Sequence, residues 1–69
     1  MITTYEIHLV RAIVGRSGRQ ITSVHKPYID IDLDDDERQD PWPHLVNVVD
    51  CWYPGWALCR HYYVGEWQA

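Results

Sequence analysis

Asp30, Asp32, Asp34, Asp35, Asp36 and Glu37 place six acids within eight positions, the densest set of chemically active side chains in the chain. Three uses of such a run are open. It can be a solvated stretch whose like charges repel and keep the chain soluble. It can be a docking surface for a basic partner. Alternate Asp side chains on one strand face stand about 6–7 Å apart, close to the phosphate spacing of a single nucleic-acid strand. A surface of that kind imitates a backbone and can occupy a basic groove. The third use is a divalent cation site. Asp30, Asp32 and Asp34 match positions 1, 3 and 5 of a calcium loop, but Asp35 stands where the turn needs Gly and Pro41 where the bidentate Glu belongs.

His44, Cys51, Cys59 and His61 form a second candidate set, four side chains able to ligate zinc. They show no C-x-x-C or H-x-x-x-H spacing, so packing is the better account of them. A nucleophilic site would need Cys59 beside His61 or His44 together with an oxyanion hole. Neither a phosphate-cradling Gly loop nor a nucleophile elbow is present. The expectation is a protein that is not an enzyme and that holds no cofactor or metal. His8 and His25 fall on expected strands and are read as surface residues.

Four Trp and five Tyr accompany a complete lack of Phe. Trp42, Trp52, Tyr53, Trp56, Tyr62, Tyr63 and Trp67 crowd the C-terminal third. Most must pack in a core, but a core this small cannot hold nine large rings. Those left outside, next to acids, suit a protein interface. Stacking on single-stranded bases also uses such rings, but it wants positive charge around them. Residues 30–69 carry nine acids against Arg38 and Arg60, whereas residues 1–29 carry Glu6 against Arg11, Arg16, Arg19 and Lys26.

Sixty-nine residues with 46% hydrophobic content bound the elements that position these groups to one domain, residues 1–69, with a core. Tyr5, Ile7, Leu9 and Ile13 alternate within residues 4–14, with Arg11 as the exception, and predict a strand. The rival is a helix begun by the Thr3 and Glu6 capping-box pattern and ended by Gly15. Residues 15–18 read as a turn. A second strand is expected from Arg19 to Leu33, with Pro27 marking a bulge or an edge position. Along it Ile29, Ile31 and Leu33 face inward while Tyr28, Asp30 and Asp32 face out. Residues 34–43 read as a polar loop.

For residues 44–52 two readings stay open. Leu45, Val48, Val49 and Trp52 fit a helix after Asp40 and Pro41. The β-branched run and the Tyr53-Pro54-Gly55-Trp56 turn instead favour a hairpin of 45–53 with 56–64. In that hairpin Tyr62 and Val64 share a face with Leu58, and Cys51 and Cys59 point to opposite faces, unable to bridge. The fold class expected is mainly β, an antiparallel meander or half-open barrel of about four strands, with one short helix or an α+β arrangement as the alternative. A bare sheet of this kind leaves one face for curling, a helix or a partner to cover.

The N-terminal segment is not read as a secretory signal, and no apolar run is long enough to span a bilayer, so no membrane partner is expected. Two cysteines are too few for a disulfide scaffold, which points to a reducing cytoplasm. These features predict an acidic inhibitor or adaptor that binds a basic protein surface through Asp30, Asp32, Asp34, Asp35, Asp36, Glu37 and the Trp42 anchor. In size and charge alone the chain is similar to phage-encoded inhibitors of host nucleic-acid enzymes, including anti-CRISPR proteins and restriction-blocking DNA mimics. That likeness implies a target that binds nucleic acid and assigns no residue a role. The alternatives are a metal-stabilised or nucleic-acid-binding module using the basic N-terminal hairpin, and a subunit of a larger assembly, a homodimer included.

Overall fold

Alternation of apolar and polar side chains from Tyr5 to Leu9, among β-branched residues, builds the longest strand of the chain, the thirteen-residue β1 (Ile2–Val14). The computed structural model describes residues 1–68 and pairs β1 on both edges. On one edge run β2 (Gln20–His25) and β3 (Tyr28–Asp32), both antiparallel to β1. On the other runs β4 (Ala57–Trp67), also antiparallel. Between β3 and β4 lie two helices, α1 (Asp35–Gln39) and α2 (Trp42–Trp52). The result is a mainly β, four-stranded antiparallel sheet with two short helices, and it is not closed into a barrel. The helix that Thr3, Glu6 and Gly15 could have framed does not form; the β-branched, alternating pattern prevails.

β2 and β3 are two halves of one edge strand. Leu9 pairs with His25 and Glu6 with Tyr28 in the same register, so no residue is gained or lost between them. Pro27 is therefore an interruption and not a bulge. Its carbonyl accepts from Ile7 N–H at 3.0 Å, but proline has no N–H to return the bond. Gly18, at φ 80°, supplies the left-handed step in the turn between β1 and β2, and its N–H donates to Gly15 O at 3.0 Å.

The polar stretch 34–43, expected as a loop, contains α1. Asp34 caps it, and the Glu37 carboxylate accepts the Asp34 N–H at 2.9 Å in a capping box. The proposed hairpin of 45–53 with 56–64 is also corrected. Residues 42–52 are helical, and β4 pairs with β1 instead of with its predecessor. Pro41 and Pro43 sit where a helix start leaves N–H groups unbonded anyway. The β-branched valines cost only a few tenths of a kcal/mol each in a helix, whereas burying Leu45 and Val49 contributes about 1.5–3 kcal/mol apiece. The 53–56 turn does form: Trp56 N–H donates to Tyr53 O at 3.1 Å and Gly55 has φ 87°. It joins a helix to a strand.

The core lies between α2 and one sheet face. Tyr5, Ile7 and Leu9 of β1, Ile29, Leu33, Leu45 and Val49 are all buried. Ile31, Val48, Tyr53, Trp56 and Leu58 close its margin. β4 keeps pace with β1 only by two irregularities, which leave Cys59 and Val64 without partners. Each such step turns the following residues to the other face. Tyr62 therefore does not share a face with Leu58, as a uniform alternation predicted, and Val64 falls at the second irregularity. Tyr63 and His61 turn inward to meet Tyr5, and Tyr62 turns outward to meet His8. No described helix is long and apolar enough to cross a membrane.

Candidate protein-binding surface

Among the described residues, no layer lies over the outward face of the sheet. The registers order it in rows. Asp32, Ile2 and Trp67 form the first row; Asp30, Thr4 and Gly65 the next; Tyr28, Glu6 and Tyr62 the third. Continuing the same register, Lys26, His8 and Arg60 form the fourth, and Val24, Val10 and Ala57 the fifth. Tyr28 is 67% exposed, Val24 56% and Tyr62 45%. These are large apolar surfaces for a face that a larger fold would cover.

Charge divides this face across its middle. Asp30, Asp32 and Glu6 lie on one side; Lys26, His8 and Arg60 on the other. The Thr4 hydroxyl bonds to the Asp30 carboxylate, and the Met1 amine lies 3.2 Å from Asp32. At the dividing line His8 Nε2 stands 3.3 Å from Glu6 Oε1, and its ring packs 5.0 Å from that of Tyr62.

The six clustered acids separate into two groups. Asp30 and Asp32 belong to the open sheet face. Asp34 caps α1, and Asp35, Asp36 and Glu37 form its first turn, where some have local work. Asp35 pairs with Arg38, and Glu37 bonds the Asp34 N–H and lies 3.3 Å from His44. Arg38 in turn reaches Glu66, 3.6 Å away. Asp34, Asp35 and Asp36 are exposed, and Asp36 meets no cation among the described residues. Trp42, at the start of α2, packs on His61 at 5.7 Å between ring centres. It lies on the helical side of the sheet, with α1 and away from Asp30 and Asp32. One continuous patch of all seven residues is therefore not what the fold builds.

The zinc and nucleophile candidates stay apart. His44 lies beside Glu37, and His61 is wedged against Tyr5 and Trp42. Cys51 and Cys59 are both free and exposed, one in the last turn of α2 and the other on the β4 irregularity. No three metal-ligating side chains gather among the described residues, and no pocket opens among them. His25, expected at the surface, is exposed, but its ring meets Tyr53 and Trp56. The Arg11 guanidinium lies over Trp56 at 4.6 Å, which explains how an arginine fits the core-side pattern of β1. Among the described residues Tyr5 is the one buried phenol. Burial first, and then the Glu66 carboxylate, push its pKa above the ordinary value.

Sequence reasoning missed the basic row of Lys26, His8 and Arg60. These residues come from three strands, and the Arg60 partner could be found only by knowing that β4 pairs with β1. No family model matches the chain, and no curated protein or solved structure matches it significantly.

Proposed function

We propose that this chain works by binding another protein, as a small acidic inhibitor or adaptor that covers a basic, nucleic-acid-binding surface of its target. The observation that carries this reading is the exposure of Asp30, Asp32, Asp34, Asp35 and Asp36 around the buried Ile29 and Leu33. The backbone that anchors the core thereby holds five carboxylates out at one end of the molecule. An approaching basic surface meets that end first, and long-range attraction raises the association rate. Trp42, half covered by His61, provides apolar area beside α1. In size and charge this fits the phage-encoded inhibitors of anti-CRISPR or DNA-mimic type, acting in the cytoplasm.

Changing Asp32, Asp34 and Asp36 together to Asn tests it. Exposed charges contribute up to about 1 kcal/mol each at an interface, so capture of the target from cells that make the protein should weaken by roughly tenfold or more. The loss should shrink as salt rises. Equal recovery of the same proteins by both forms, at low and high salt, contradicts the reading.

One observation favours a second reading. Beyond Arg11 the β1–β2 hairpin runs past the helices as an exposed two-stranded ribbon with Arg16 and Arg19 at its tip. Ribbons of this width fit the major groove of DNA. Four basic residues in a chain of net charge -4 make it the lesser case.

A further inference from the structure

The geometry points to a second copy of this chain as the cover of the open sheet face, packed face to face and antiparallel in a two-fold homodimer. The argument begins with the rows. A two-fold axis lying across the strands, between the Glu6 row and the His8 row, places each row of one copy over a different row of the other while keeping strands in line. Tyr28 then meets Lys26, Glu6 meets His8, and Tyr62 meets Arg60, each pair occurring twice. Two of these are cation–ring contacts and the third is an acid–base contact. One row further out, Gly65 meets Ala57 and Thr4 meets Val10, so small or slender side chains oppose one another where the sheets must approach. Asp30 falls over Val24 at the edge strand, within reach of water and of the neighbouring Lys26.

The alternative stacking, with strands parallel and each row over itself, exchanges the two edges and sets Glu6 on Glu6 and Arg60 on Lys26. Charge thus selects one of the two arrangements. The area suffices as well. About eleven overlapping residues at ~3.3 Å each, across three strands ~4.8 Å apart, cover roughly 500 Å² per copy. That total of about 1,000 Å² reaches the lower range of specific interfaces. α1 and α2 lie on the other side of the sheet, so Asp34, Asp35 and Asp36 stay open in the dimer. Asp30 and Asp32 lie on the covered face, so in the dimer a basic target meets Asp34, Asp35 and Asp36 alone; the inference does not otherwise depend on the partner reading above.

The test uses the purified chain alone, by sedimentation at roughly 100 μM, a concentration suited to micromolar affinity. Wild type should sediment as a dimer. Glu6→Lys sets lysine into the facing row of Lys26, His8 and Arg60 twice, and His8→Glu sets glutamate on Glu6 twice. Each variant alone should weaken the dimer by about a hundredfold, from the cost of juxtaposed like charges. Mixed in equal amounts, the two variants form a heterodimer in which the introduced lysine meets the introduced glutamate and the remaining Glu6 meets the remaining His8. The mixture should therefore recover the dimer, which also shows that both variants are folded. A wild type that is monomeric, variants that dimerise as well as wild type, or a mixture that stays monomeric would each overturn the proposal.

Discussion

Tyr5 shows how much a single side chain can report about the fold. Its ring is buried between His61 and Tyr63, and its folded pKa lies above the unfolded 10.0 because burial and Glu66 both disfavour the phenolate. Below pH 10.0 both states keep the proton. Above it the unfolded chain releases the proton first, so the folded state binds more protons and stability falls as pH rises. Tyr5→Phe should therefore lose less stability than wild type between neutral pH and a pH above 10.0. Urea denaturation at the two pH values measures this, and an equal loss in both proteins would show that Tyr5 is not the group responsible. The burial of Tyr5, Ile7 and Leu9 was legible from alternation alone. The positions of His61 and Tyr63 were not, since the irregularities of β4 change the face on which each residue falls.

Elements were legible where one periodicity outweighed its rival. β1 and the paired β2 and β3 follow from period-two patterning and the Pro27 interruption. Residues 42–52 carried both signals: β-branched valines that prefer strands, and a Leu45–Val49 stripe at helical spacing. Local preference lost because only a helix sets Leu45 and Val49 together on the sheet. The turn that follows was read correctly, but a turn does not reveal which elements it joins. Gly55, at φ 87° with open space around it, tests this junction. Gly55→Ala meets no clash and still strains the backbone, so it should cost about 1 kcal/mol in a denaturant titration. An unchanged midpoint would mean that the junction does not need the left-handed conformation.

The whole molecule is long and narrow, 49 × 17 × 17 Å, and its charge follows its length. The arginine-tipped hairpin projects at one end, and the exposed aspartates gather at the other. The dipole was legible in the sequence because the two halves of the chain differ in sign. Its division of the open face into facing rows was not, because rows are made by strands distant in sequence. At this scale the proposed function makes the acidic end the contact surface and not the hairpin tip. Site-specific photo-cross-linking in the cells that make the protein tests that claim most directly, with the cross-linker placed at position 36 in one variant and at position 16 in another. The account predicts a discrete adduct with a basic protein from position 36, lost as salt is raised before irradiation, and no matching adduct from position 16. Adducts from position 16 with none from position 36 would contradict it.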